Sequence, residues 1–156
     1  MIVKLTRTDV RDLLRGLQTA CSNPEVKGNA KFTYAMAKNR RLIKNEYESI
    51  QDTLNDLLTE YETKLQDMAK KYMKKDPKTS NPMYNGAGQP ILDPIFKDDF
   101  NSEKEKINEE YKTQIDEKDK FLDEEIELEL HLIAMSDFPE MQDYIADLLF
   151  PIRSEN

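Results

Sequence analysis

Lys31, Tyr34, Lys38, Arg41 and Asn45 step along the chain by 3, 4, 3 and 4 residues, which places them on one face of a helix. Cations hold phosphate oxygens through charge-assisted hydrogen bonds, an aromatic ring stacks on a base, and an amide reads a base edge. A face of that composition suits a nucleotide-like anion. Asn39 adds a second amide on a neighbouring face, so a compact pocket that uses both Tyr34 and Asn39 needs two helix faces or a second subunit. Arg7, Arg11 and Arg15 form a further cationic stripe at i, i+4 and i+8. A solvated helix face is the plainer reading of that stripe, but Arg11 and Arg15 would extend an anion site if their helix packs beside residues 31–45. With His131, the expected ligand-binding set is Tyr34, Lys38, Asn39, Arg41, Arg11, Arg15 and His131.

The segment "KFTYAMAKNRRLIK" (31–44) holds five cations in fourteen residues, in a chain of net charge -8. Residues 1–44 carry ten Lys/Arg against three acids, which is +7 and leaves -15 for the remainder. A chain polarised in this way either pairs its halves internally or offers a basic end to a partner. Internal pairing is the more economical account, because the acids Asp123, Glu124, Glu125, Glu127 and Glu129 fall opposite the basic run in the register derived below. Duplex DNA is disfavoured by the net charge. Mimicry of DNA by the acids is a further alternative, although solvated helix faces explain them more simply.

No catalytic group stands out. His131 is the sole histidine and Cys21 the sole cysteine, which excludes an internal disulfide and a thiolate metal cluster. Cys21 falls on an apolar stripe and reads as core. Carboxylate pairs are unspecific among 31 acids. "YNGAGQP" is a turn that opens no helix, so it is not a phosphate loop. The expectation is a non-enzymatic protein without metal or cofactor. "MIVKLTRTDV" lacks a signal-peptide core and no apolar run approaches a membrane span, so the expected compartment is a cytoplasm.

The elements that position these residues follow from periodicity. "MIVKLT" alternates as a short strand. Val10, Leu13, Leu14, Leu17, Ala20 and Cys21 form one helix stripe, with Thr6 and Asp9 as a capping box and Thr8 as the rival cap. A second helix is predicted from about Gly28-Asn29 to Lys75. Its seam of Ile43, Tyr47, Ile50, Leu54, Leu57, Tyr61, Leu65, Met68 and Tyr72 steps by fours and threes, with a stutter at Leu57–Tyr61–Leu65. Four of the seven prolines fall in 76–94, beside Asn85-Gly86, so a turn or small hairpin tip is expected at 76–97. A third helix is predicted from Asp98 or Ser102 to Glu125. Folding back near residue 86 would set position 61 opposite 112, where the two irregular steps meet. Residues 126–132 alternate as a strand whose natural partner is the N-terminal one. Asp137, with Pro139 and Glu140, is read as the cap of a last helix, and "FPI" as a short edge strand.

The expected fold is therefore mainly α with a minor α+β part. A long antiparallel coiled-coil hairpin (43–125) rises from a base (1–42 and 126–156) of short helices and a two- or three-stranded sheet built by both chain ends, all within a single domain, 1–156. Such long seams favour homo-oligomers.

Phe32, Tyr34, Ala35, Ala37, Lys38 and Asn39, followed by Glu129, His131 and Pro139, resemble the pattern of a family of small uncharacterised bacteriophage and prophage proteins with a long helical hairpin. The match follows the order of most of the chain, although its specific part is short. The resemblance implies a phage origin and an infected bacterial cytoplasm as the site of action. It brings in a function class: a binding protein that counters host defence by sequestering a nucleotide-like signal or inhibiting a host defence protein. The alternatives are a structural or assembly protein, or chaperone, working through the stalk or tip, and an acidic DNA-mimic nuclease inhibitor.

Overall fold

The computed structural model describes residues 1–154. In chain order the elements are β1 (Ile2–Thr6), α1 (Arg7–Ser22), α2 (Ala30–Lys71), α3 (Lys97–Glu110), α4 (Lys112–Asp123), β2 (Glu125–Glu129), β3 (Ile133–Ala134), α5 (Asp143–Leu148) and β4 (Arg153–Ser154), with short 3-10 turns at Pro94–Phe96, Met135–Asp137 and Phe150–Ile152. The chain is mainly helical, with the 42-residue α2 packing against α1. It divides into two compact units, one of Met1–Thr53 with the chain from Asp119 onward, the other of Leu54–Lys118.

In the first unit both expected strands form and pair antiparallel, Ile2 opposite Glu129 through Thr6 opposite Glu125. The ladder extends one pair further, where Met1 and Leu130 exchange N–H to C=O bonds at 2.9 Å. α1 begins at the expected capping box: the Thr6 hydroxyl accepts the Asp9 amide and the Asp9 carboxylate accepts the Thr6 amide. This satisfies two amides that the first helical turn leaves open. Val10, Leu13, Leu14, Leu17 and Ala20 are buried as the stripe requires. Cys21 is exposed rather than core, because it lies at the edge of a stripe centred on Leu13 and Leu17. α2 starts one residue after Asn29, whose Oδ1 accepts the Phe32 amide at 2.9 Å. Phe32, Ala35, Met36, Ile43 and Ile50 face the core with Leu130, Ile133, Ile145, Leu149 and Ile152.

Two expectations near the C-terminus are corrected. Asp137 caps no helix. Its carboxylate accepts the Asn29 side-chain amide at 2.6 Å and lies 3.7 Å from Lys31 Nζ, tying the start of α2 to the chain after β3. The last helix begins only at Asp143. "FPI" is a 3-10 turn, because Pro151 has no amide to give to a ladder. The added strand is β4, immediately after it, parallel to β3.

In the second unit the end of α2 runs antiparallel to α3 and α4. Tyr61 meets Tyr111, ring centroids 5.7 Å apart, and donates to Asn108 at 2.9 Å. Lys64 pairs with Glu110, and Lys71 with Glu103 at 2.8 Å. Tyr61 thus faces Tyr111, one residue from the predicted 112. The third helix is interrupted at Tyr111, where the seam takes its step of four to Ile115; a stutter unwinds the local repeat. α2 ends at Lys71, before the predicted Lys75. The next residues turn to short bridges, Met73 with Leu92, Lys75 with Pro82 and Tyr84 with Pro90.

Two carboxyls of this unit are held below their ordinary values. Lys71 and then the Tyr72 hydroxyl hydrogen-bond Glu103 and lower it from 4.5. The backbone amides of Lys78 and Thr79 lower Asp76 from 3.8. A depressed folded value means that the stability each contributes is complete above its ordinary value and lost as pH falls through the folded one. Amide exchange at Lys78 and Thr79 is therefore expected to accelerate below about pH 4 relative to the ladder amides of β1, once intrinsic exchange is corrected for. Equal protection factors across that range would show that these bonds do not hold the turn.

Candidate functional site

The first half of α2 presents its cations on an open groove against α1. Gln18 of α1 and Tyr34, Ala37, Lys38, Arg40, Arg41, Lys44 and Asn45 of α2 line it, and its volume is about 800 Å³. The spacing of Tyr34, Lys38, Arg41 and Asn45 along one face accounts for half of this lining. The buried face of the same turns carries Phe32, Ala35, Met36 and Ile43. Packing of those apolar residues turns the basic face outward.

Tyr34 is 60% exposed although it is a large ring. Lys38 Nζ lies 5.6 Å from its centroid, and the His131 ring meets it edge-on at 6.2 Å. His131 arrives there because the chain after β2 is held to α2 by Asn39. The Asn39 side-chain nitrogen donates to the His131 carbonyl and its oxygen accepts the His131 amide, both at 2.9 Å.

This arrangement corrects the expected role of Asn39. Its side chain is 0% exposed and is spent on backbone, so it positions His131 and does not meet a ligand. It also removes the need for a second face or subunit. Arg11 and Arg15 are not brought to the groove either. Arg11 pairs with Asp12 at 3.3 Å, and Arg15 lines a separate surface depression with Asp9, Asp12, Tyr144 and Asp147. The helix face that reaches α2 is the one carrying Gln18. Tyr34, Lys38 and Arg41 are together as expected, with His131 at the ring's edge. Arg40, Lys44 and Gln18 complete the lining beyond the expected set. Arg40 and Lys44 are four apart and flank the stripe, a signal that a wider face would have included.

The internal pairing expected for the basic run does not form. Glu124 takes Arg7 at 2.7 Å, and Glu127 takes Lys4 at 3.7 Å. The antiparallel register of β1 and β2 explains this, since it sets Lys4 directly opposite Glu127. Arg7 is further fixed by donating to the Phe121 carbonyl at 2.8 Å and lying 4.0 Å over the Phe121 ring. Lys44 finds Glu48 on its own helix at 3.5 Å, and Lys31 finds Asp137. Among the described residues Lys38, Arg40 and Arg41 have no carboxylate partner. Three unpaired cations lining one groove of an acidic chain leave a local positive field that favours an anion.

Among the described residues no group of three His, Cys, Asp or Glu side chains is placed to hold a metal ion, and no helix is long and apolar enough to cross a membrane. No protein-family model, curated protein or solved structure matches the chain.

Proposed function

We propose that this chain is a phage-encoded, non-enzymatic binding protein that holds a nucleotide-like anion in the groove between α1 and α2. It would act in the cytoplasm of the infected host by withdrawing an anionic defence signal. The observation that carries the anion reading is that Lys38, Arg40 and Arg41 line one groove beside an exposed Tyr34 with no carboxylate to neutralise them. Tyr34 stacks on the base, the cations hold phosphate, and Gln18 and Asn45 supply amides. The phage origin and defence role rest on the resemblance of "KFTYAMAKN" and "ELHLIAMSDFPE" to phage and prophage proteins.

Each charge-assisted bond lost from such a site costs about 1.5–3 kcal/mol. The double variant Lys38→Ala, Arg41→Ala is therefore expected to weaken binding by two orders of magnitude or more, with its helical circular dichroism unchanged because both side chains are exposed. Mass spectrometry of small molecules released on heating, with calorimetry on nucleotides, checks this. Equal nucleotide affinity in the folded double variant would end the reading.

The tip of the second unit favours another reading, assembly through a protein contact. Ile95 is 85% exposed, with Tyr84 and Phe96 also outward. If this patch joins copies of the chain, Ile95→Asp lowers the mass measured by light scattering and leaves nucleotide affinity unchanged. A wild type that is monomeric at high concentration removes this version.

A further inference from the structure

We infer that the groove takes a short single-stranded nucleic-acid tract rather than a lone nucleotide, an inference that rests on the anion reading above. Tyr34 and Asn45 mark the two ends of the lining on α2, and eleven residues of helix at 1.5 Å each span about 16 Å. Stacked nucleotides advance by about 3.4 Å each along a strand, so the lining matches roughly four or five of them, and fewer when the strand is extended.

The cations occupy successive positions along that length of α2. Lys38, Arg41 and Lys44 follow one another at steps of three, about 4.5 Å of axial rise per step; Lys38, Arg41 and the adjacent Arg40 have no carboxylate partner among the described residues, and Lys44 shares Glu48 at 3.5 Å on the exposed surface. A single phosphate would engage part of this set and leave other cations of the groove without an anion. A sugar–phosphate backbone running along α2 engages each in turn. The aromatic platform sits at the start of the row, where Tyr34 lies beside Lys38 and against the edge of His131. A positive groove that tracks a backbone, combined with a ring on which a base stacks, is the usual composition of single-strand sites. Tyr34, Lys38, Arg40 and Arg41 are all exposed, so a strand can approach the groove from solvent. The amides of Gln18 and Asn45 flank the track. A duplex is excluded from the stacking part, because its bases are already stacked and paired and Tyr34 can reach no free face.

The test is fluorescence anisotropy on the full chain with end-labelled oligothymidylates from one to about eight nucleotides, with ATP and a duplex of the same length as competitors. Affinity is expected to rise with each added nucleotide and to level off near four or five. Competition by ATP and by the duplex should be at least about tenfold weaker than by the unlabelled strand. Because single strands release about 0.7 counterions per phosphate neutralised, log K should fall against log salt with a slope of about -2 to -3. Lys38→Ala should make that slope shallower by about 0.7. Tyr34→Ala should weaken every length by a common factor of about tenfold, as expected for one stacked base.

Mononucleotide or ATP binding as tight as that of the longest strand overturns the tract inference and leaves the anion reading standing. A duplex that competes equally also overturns it, because backbone contact alone would then account for binding. Absence of binding by every nucleotide and strand overturns both.

Discussion

Replacing Asn39 with alanine is expected to lower stability by about 3 kcal/mol. Its side chain satisfies both backbone groups of His131 from a fully buried position. Truncation leaves a donor and an acceptor without partners, and each such orphan costs about 1–3 kcal/mol. For a chain of this size that corresponds to a fall in Tm of about 6–12 °C, measurable by circular dichroism. Asn39→Asp separates the two bonds. A carboxylate can still accept the His131 amide, but it cannot donate to the His131 carbonyl, and it places a charge where water does not reach. Burial raises the pKa of such a carboxyl. The loss in Asn39→Asp should therefore be largest at neutral pH and shrink as the pH falls and the group is protonated. An Asn39→Ala chain as stable as the wild type would mean that packing alone holds the chain after β2 against α2. The same variant carries a functional readout, since this clamp sets the His131 ring against Tyr34.

Gly16→Ala is expected to destabilise the chain, against the direction that helix propensity alone implies. In an open helix the change to alanine stabilises by about 1 kcal/mol. Gly16 is buried in the middle of α1, and a Cβ there would lie 2.7 Å from Leu148 Cβ and 3.2 Å from its carbonyl carbon. Neither atom is the flexible end of a side chain, so α1 and α5 must separate. Overpacking of this kind costs typically about 1–3 kcal/mol, which after the propensity gain leaves a Tm lower by several degrees, about 2–4 °C per kcal/mol. Gly86→Ala is the control, because nothing lies within 4 Å of its added carbon and its Tm should barely move. A stabilised Gly16→Ala would show that α5 yields without cost. The contact bears on the groove because α1, held by α5, supplies Gln18.

Residues 1–22 could be read almost completely from local chemistry. Thr6 and Asp9 sit at the one spacing that closes a capping box, and the stripe from Val10 to Ala20 has a single apolar side. The register of Tyr61 against Tyr111 was legible for a similar reason. Seam residues must interlock, and an irregular step in one helix fits only an irregular step in the other. Tyr34, Lys38 and Arg41 could be grouped because helical spacing alone puts them on one face.

What a local pattern cannot specify is which charge meets which across the chain. By spacing alone, the acids at 123–129 suit the basic run of α2 as well as they suit Lys4 and Arg7. Glu127 went to Lys4 instead, because the β1–β2 register sets the two directly opposite, and Glu124 went to Arg7 at the start of α1. Asn39 was misread for a related reason. An amide offers the same donor and acceptor to a ligand or to a backbone, and only the path of residues 130–133 through the core brings the His131 peptide within 2.9 Å of it. Asp137 was likewise spaced to cap a helix but found Asn29 first. Short-range periodicity thus determined the elements and the basic face. Long-range pairing determined where Glu124 and Glu127 went, and so left Lys38, Arg40 and Arg41 without a carboxylate partner among the described residues.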